Sequence, residues 1–362
     1  MAGIKVGFVG AGSMLSYHYD GFIQAGAEVK AIADLDVKRA GDFAESKKIT
    51  GVYSDLTEML KAHPDLDAVS VITPNKFHKP HVMEALKAGK HVYCEKPPAL
   101  NAAETKEMID AAEQAGKKLV FGFCNRARPG VQAMMRYIKE GKVGKINSAQ
   151  AAWIRRTGIP GFGGWFTTKT LSGGGPVIDL CHMLDLALYF MGYPEPDYLL
   201  GKAYYDFMDN KAYKGPWGIP DAEGGVTDVE SASLAFITFK TGQCLIARSS
   251  WAELNERERV SVTFQGTKAG GRIERLFGID GVDSTSIDSC RFFVEEYGKQ
   301  VNKDIITGKD EDMGRVSMAA NFIDSLNGKA QALSSPNEAL ILMKIIDAIY
   351  ESASSGKPVK IG

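Results

Sequence analysis

Net charge is nearly absent from this chain: 43 Lys and Arg stand against 44 Asp and Glu, a formal value of −1 over 362 residues. A protein without a field of one sign does not gather nucleic acid or an anionic membrane, so small or neutral partners are expected. Cysteine is scarce as well. Cys94, Cys124, Cys181, Cys244 and Cys290 are far apart, form no CxxC pair and are odd in number, which argues against a complete disulfide framework and suits a reducing cytoplasm. Long apolar runs are missing: none reaches the roughly 20 residues that cross a bilayer, and the N-terminus passes directly into Ile4-Lys5-Val6-Gly7-Phe8-Val9 without a basic leader. Neither a membrane span nor an export signal is expected. Histidine is limited to six, and His182 is the only one after His91, so any imidazole chemistry in the second half rests on it.

What is present belongs to a globular protein with 44% hydrophobic and 24% charged residues, and its length exceeds what one core usually serves, so two domains are expected. Residues 4–9 read as a buried strand. Gly10-Ala11-Gly12-Ser13-Met14 follows, then a helical stretch to about residue 24. Strand, glycine turn and helix in that order are what a dinucleotide needs: Gly10 makes the turn, Gly12 lets backbone approach a pyrophosphate, and the helix N-terminus meets its charge. Leu15 stands where the usual third glycine would be. A second strand, residues 27–33, ends at Asp34, placed to accept hydrogen bonds from an adenosine ribose or, with Asp36, to cap the next helix. Asp34 would repel a 2′-phosphate, Leu35 supplies no cation and Lys38 and Arg39 fall a turn further on, so NAD is the expected cofactor.

Further strands over residues 68–72, 91–93 and 118–123 bring the first part to five, alternating with helices and therefore parallel. Their carboxyl ends collect Gly10, Asp34, Thr73-Pro74-Asn75, Lys96 and Asn125-Arg126 on one edge, where doubly wound sheets bind ligands. Lys96 stands out, because a strand ends at Glu95-Lys96-Pro97-Pro98 and the prolines prevent a helix from following at once. His78 and His81 share a helix face but lack the further ligands a metal would need, so no metal site is expected.

The remainder changes character. The domains are set at residues 1–125 and 126–362, with the last helix able to pack back on the first. A helix near residues 131–139 and a strand over 146–155 lead to the glycine-bounded loop 158–175, a candidate lid or substrate loop that holds Trp165 and Thr168. Residues 177–191 are apolar nearly all round and predict one buried helix, interrupted by Asp179, His182 and Asp185 on a common face. From about residue 199 the pattern alternates and predicts an antiparallel sheet with a hairpin turn at Thr241-Gly242. Two helices close the chain, near residues 314–326 and 336–353, and residues 210–223 form a surface excursion. Arg126, Arg155, Trp165, Thr168, Asp179 and His182 are candidates for contact with substrate. Arg155 and Arg156 alternate faces of their strand and cannot both line one pocket.

Taken in order, Gly10-Ala11-Gly12, Asp34, Thr73-Pro74-Asn75 with His78, Glu95-Lys96-Pro97, and Gly173-Gly174-Gly175 leading into Asp179 and His182 resemble the glucose-fructose oxidoreductase, inositol dehydrogenase and MocA (Gfo/Idh/MocA) family over nearly the whole length. The resemblance implies an α/β protein: an N-terminal Rossmann doubly wound parallel sheet, and a C-terminal α/β domain whose large open, mainly antiparallel sheet commonly forms oligomer contacts. It also implies a nicotinamide cofactor, held by Gly10, Gly12, Ser13, Met14, Asp34, Thr73, Asn75, His78, Glu95, Lys96 and Asn125, with Lys96, Asp179 and His182 as the catalytic group. In the family the histidine usually stands four residues after the acid; here it stands three after, a rotation of about 100° on a continuous helix that leaves open which of the two meets the substrate hydroxyl. The expected activity is NAD-dependent oxidation of a secondary hydroxyl of a sugar, glycoside or cyclitol, C3 of a glucoside among them, by a cytoplasmic homo-oligomer. Two rivals stand beside it: a redox-neutral cycle that retains NAD, as in a glycosidase, epimerase or sugar–sugar oxidoreductase, and a non-catalytic NAD-binding regulator.

Overall fold

The computed structural model of the chain describes residues 3–216, 218–276, 287–308 and 312–362. It divides into two compact units, Met1–Arg128 with Asp310–Leu340, and Pro129–Lys309 with Ile341–Gly362.

The first unit is built on six parallel strands: β1 (Lys5–Val9), β2 (Glu28–Ala33), β3 (Gly51–Tyr53), β4 (Ala68–Val71), β5 (His91–Cys94) and β6 (Leu119–Phe121), in the order β3-β2-β1-β4-β5-β6. Between them run α1 (Leu15–Gln24), α2 (Val37–Lys47), α3 (Leu56–Ala62), α4 (His78–Lys87) and α5 (Ala102–Ala115). The sequence reading has five strands; the sixth, β3, is only three residues long, too short to show an alternation. Its helix α3 and the helix α5 have visible starts, Asp55 accepting from the Glu58 amide and Asn101 from the Glu104 amide, side chains that satisfy otherwise unpaired first-turn N–H groups. Buried β-branched and aromatic side chains make the core: Val6, Phe8, Phe22, Ile32 and Tyr93, with Phe8 stacked on Phe22 at 5.6 Å.

That same core contains Met318, Ala319, Phe322 and Ile323 of a later helix, which is why the segment after residue 310 rejoins the first unit instead of staying with the rest of the C-terminal part. Tyr93 meets Phe322 at 5.4 Å. The fold is thus not a simple bisection of the chain at residue 125.

The second unit carries α6 (Pro129–Lys139), β7 (Ile146–Ile154), the short helices α7 (Lys169–Ser172) and α8 (Pro176–Asp179), α9 (Cys181–Met191), and then β8 (Pro196–Tyr204), β9 (Ala232–Phe239), β10 (Cys244–Ser250), β11 (Arg259–Gly266), β12 (Ala269–Leu276), β13 (Ile287–Glu296) and β14 (Lys299–Asp304). The helix that rejoins the first unit is α10 (Arg315–Leu326), and α11 (Pro336–Ser355) and β15 (Val359–Lys360) complete the chain. Nine strands form one sheet in the order β14-β13-β12-β11-β7-β10-β9-β8-β15. All neighbours are antiparallel except β7 and β10. The hairpin turn falls at Thr241-Gly242, with Gly242 at φ 82°. Alternate residues of β8 to β10 are buried, with α8 against β9 and β10 and α11 against β8, while Leu200, Phe236 and Ile246, paired across the three strands, lie exposed. Among the described residues no helix is long and apolar enough to cross a membrane.

Candidate active site

In the first unit the predicted cofactor residues stand at the carboxyl ends of the strands. Gly10 has φ +99° and its amide donates to the Ala33 carbonyl; a Cβ there would lie 2.7 Å from the Ile72 carbonyl, so only glycine fits. Gly12 differs. A Cβ on it would meet nothing in the protein nearer than 3.8 Å, and Gly12 and Ser13 are exposed, so protein packing does not demand the glycine. The adjacent N-terminus of α1, at Met14, has no side-chain cap. An exposed glycine beside an uncapped helix start is the arrangement that receives a pyrophosphate.

Asp34 closes β2. One of its carboxylate oxygens accepts from the Ala11 amide at 2.6 Å and the other from the Asp36 amide, while Asp36, not Asp34, caps α2. The sequence reading put Arg39 a turn away. In the structure its guanidinium reaches back to Asp34 at 2.9 Å, because residue 39 lies in the first turn of α2 and faces the end of β2.

Lys96 follows β5, and its surroundings are more elaborate than the sequence suggested. Glu95 is buried; it accepts from the Lys96 amide through Oε2 and contacts Nε2 of His18 at 2.8 Å through Oε1. The other ring nitrogen of His18, itself 1% exposed, lies 2.9 Å from the Ser70 hydroxyl. Burial alone would raise the Glu95 carboxyl, but the bond and charge of His18, with Lys96, hold it below the usual range. Serine, histidine and glutamate therefore hold the backbone that carries Lys96.

His78, expected among the cofactor contacts, is 1% exposed, and its ring nitrogens face the Pro97 carbonyl at 2.7 Å and the Thr73 carbonyl at 2.8 Å. Both nitrogens are thus engaged by backbone; His78 clasps the end of β4 to the segment after Lys96, and burial pushes its pKa down. His81 lies beside the Thr73 hydroxyl at 3.2 Å. Asn75 and Asn125 are buried at the same edge. Arg126 is a correction: expected to touch substrate, it is fully buried, with its guanidinium on the Leu333 carbonyl and the Glu338 carboxylate and over the Phe123 ring. A cation removed from water needs such partners, and here it secures the returning segment of the chain.

The second unit holds a separate cluster. The single helix predicted for residues 177–191 is broken at Leu180, whose φ −91° and ψ 24° end α8 and reset the axis for α9. Asp179 and His182 are therefore not related by helical rotation, and the 100° argument does not apply. Asp179 accepts from Nε1 of Trp251 at 3.0 Å, with the guanidinium of Arg155 at 4.0 Å. Arg155 also donates from Nε to Glu258 at 3.2 Å and lies over the Trp153 ring, and Trp153 Nε1 donates to the same Glu258 oxygen at 2.9 Å. His182, 8% exposed, lies with its ring 6.1 Å from that of Trp153. Trp153 and Glu258 were not anticipated; nothing local in the sequence marks residues that meet only across neighbouring strands.

The turn that delivers α8 is held by another buried carboxylate. Glu230 accepts from the amides of Gly175 and Val177 and from the Tyr350 hydroxyl. Gly174, at φ +158°, passes so close to Tyr350 that a Cβ would fall 1.9 Å from its hydroxyl oxygen, which explains a glycine in this turn. The candidate lid, residues 158–175, is braced and not loose: Phe162 donates to Asp221, Gly163 to Thr227, and the Phe162 carbonyl accepts from Ala222. Trp165 stacks on Phe166 at 3.7 Å, and the Thr168 hydroxyl lies between the Gly164 and Val226 carbonyls, so both expected substrate residues already have partners within the loop. Among the described residues no three His, Cys, Asp or Glu gather as a metal would require.

The family profile described as "Oxidoreductase family, NAD-binding Rossmann fold" matches residues 4–123, and its partner, "Oxidoreductase family, C-terminal alpha/beta domain", matches residues 136–361. The chain belongs to the Gfo/Idh/MocA oxidoreductase family. Family membership makes it an NAD-binding oxidoreductase with the two-part α/β fold described above. D-glucoside 3-dehydrogenase of Escherichia coli (strain K12) is 31% identical to it over 99% of this chain and 97% of that protein. Levoglucosan dehydrogenase of Pseudarthrobacter phenanthrenivorans is 30% identical over 45% of this chain and 42% of its own. A solved levoglucosan dehydrogenase, in complex with NADH and L-sorbose, superposes with a TM-score of 0.83 over the full length of both chains at 22% identity, a likeness of fold. Gly12, the start of α1 and Asp34 fit the dinucleotide that the family binds.

Proposed function

We propose that this family member oxidises a secondary hydroxyl of a sugar, glycoside or cyclitol to a ketone, with C3 of a glucoside as the first position to test. The observation that carries the reading is the Asp179–His182 pair, an acid and an imidazole at the junction of two helices, with the acid oriented by Trp251. Likeness over nearly the whole length to a D-glucoside 3-dehydrogenase supports the glycoside. The nicotinamide, when bound, supplies the hydride acceptor. The chain manages the proton: His182 takes it from the reacting hydroxyl, since an imidazole exchanges protons near neutral pH, and Asp179 orients the imidazole or an adjacent hydroxyl. Lys96, whose backbone Glu95 holds, is assigned to the catalytic group as a cation able to stabilise developing negative charge. Gly10, Gly12, Ser13, Met14, Asp34, Thr73, Asn75 and Asn125 are assigned to the cofactor. His78 and Glu95 are reassigned to supporting roles behind it.

We assign the exposed row Leu200, Phe236 and Ile246 on the nine-stranded sheet to contact with a second copy of the chain, since an apolar stripe of this kind is costly to leave in water. Five cysteines without a disulfide support a cytoplasmic site of action. The deciding experiment follows absorbance at 340 nm with NAD⁺ and a panel of free sugars, inositols and alkyl or aryl glucosides, then weighs the product. A rising trace with a product two mass units lighter is expected. A flat trace with an altered substrate would replace this reading with a redox-neutral cycle.

A further inference from the structure

From the way the returning helix docks we infer that Arg315 of α10 binds the pyrophosphate of the dinucleotide, so that the segment after residue 310 supplies a cation that the glycine turn lacks. The inference concerns the cofactor and stands apart from the substrate reading above. Arg315 is the first residue of α10, and its backbone is fixed on both sides by glycine contacts. Gly314, at φ +74°, passes so close to the turn Cys124–Ala127 that a Cβ would fall 2.4 Å from the Cys124 carbonyl oxygen. A Cβ on Gly21 of α1 would fall 2.3 Å from the Val316 carbonyl oxygen. α10 therefore starts just beyond the carboxyl end of β6 and packs along α1.

Between those two contacts the Arg315 guanidinium lies over the Tyr17 ring, 4.8 Å from its centre. Tyr17 is the third residue of α1, and helical side chains lean toward the N-terminus, so its ring covers the first turn, whose start at Met14 has no side-chain cap. An aromatic face attracts a cation without supplying the oxygens that the planar guanidinium fork fits. Among the described residues no carboxylate stands within ion-pair distance of Arg315, which is half-buried. The start of α10 itself needs no anion, because Asp312 accepts from the Gly314 and Val316 amides at 3.1 and 2.7 Å. Arg315 also shares its neighbourhood with Lys96: burial, with Glu95, pushes the Cys124 thiol up to about 12, and Arg315, Lys96 and Arg128 oppose the rise. A pyrophosphate brings two negative charges to the start of α1, where the helix end offers roughly half a positive one. A guanidinium beside that turn matches the remainder and fits phosphate oxygens in its fork.

The test titrates NADH, followed by its fluorescence, into the wild type, Arg315→Lys and Arg315→Met. Loss of a charge-assisted bond should raise the NADH Kd by about 10- to 100-fold in Arg315→Met, and Arg315→Lys, which keeps the charge without the fork, should fall between. Added salt should weaken the wild type more steeply than Arg315→Met, a difference that a merely structural role would not produce. A folded Arg315→Met that binds NADH within about 2-fold of the wild type overturns the inference, as does a salt dependence that the substitution leaves unchanged. If Arg315→Met does not fold, the wild type decides. Modification of Arg315 by phenylglyoxal, read from peptide masses, should then slow by about 10-fold or more with saturating NADH or with ADP, and not with adenosine. A rate unchanged by saturating NADH, or equal protection by adenosine and ADP, overturns it.

Discussion

Tyr350→Phe deletes one hydroxyl, and the structure states what that hydroxyl holds. It donates to Oε1 of Glu230 at 2.9 Å, and Glu230, 1% exposed, holds the amides of Gly175 and Val177 at the entry to α8. A hydrogen bond to a buried charged group contributes about 1.5–3 kcal/mol, and the phenyl ring leaves no larger void, so the variant should lose about that much stability at pH 7. The pH dependence is the sharper signature. Burial raises the Glu230 carboxyl above its ordinary value, while the two amides and the tyrosine pull it back down. A raised folded value means the folded state keeps its proton to higher pH than the unfolded chain, so this group's favourable contribution is complete below the unfolded value and is lost as pH rises through the folded one. Removing the hydroxyl raises the folded value further and extends that loss. The cost of Tyr350→Phe should therefore be small near pH 4, grow as the carboxyl ionises, and level off above that interval. Urea denaturation of the wild type, Tyr350→Phe, Glu230→Gln and the double variant at several pH values measures it. In the Glu230→Gln background the same substitution should cost under about 1 kcal/mol with little pH dependence, as for a neutral hydrogen bond. A cost that is flat with pH, or a cycle that is simply additive, would refute the reasoning.

Lys96→Ala and His182→Ala should each reduce kcat by about 100-fold or more while NAD⁺ binding, followed by fluorescence titration, stays within a few-fold; unchanged turnover in both would remove the catalytic assignment. Asp34→Ala should weaken NAD⁺ and improve the relative use of NADP⁺, because Arg39 then loses its carboxylate partner and can meet a 2′-phosphate. A selectivity ratio that does not move would show that Asp34 plays no part in cofactor choice. His18→Leu leaves Glu95 buried without its imidazole, and denaturant melts should show a loss of about 3–5 kcal/mol. A near-neutral result would mean that Lys96 is positioned by something else.

Short-range patterns account for what was legible. Alternation, helical spacing and Gly or Pro punctuation act over a few residues, so β1 with its glycine turn and α1, Asp34 at the end of β2, Lys96 just after β5 and the Thr241-Gly242 hairpin all follow from neighbours in the chain. Asp55 and Asn101 cap α3 and α5, signals of the same local kind that the sequence reading did not use, and the short strands β3 and β15 show no alternation.

Tertiary structure decided the rest, because its energies join residues that are remote in sequence. Asp179 and His182 read as a helical pair until the break at Leu180 separated their axes. Arg126 has the composition of a ligand-binding residue, and a partner 212 residues away at Glu338 makes it a buried tie. Glu230 and Tyr350 lie 120 residues apart, and Trp153 and Glu258 lie 105 apart. The sequence by itself determined which chemistry is available and which strand ends carry it. Which carboxylate captures Arg155, which imidazole stands behind Glu95, and where α10 finds its core depend on desolvation and packing, which have no value until the chain is folded.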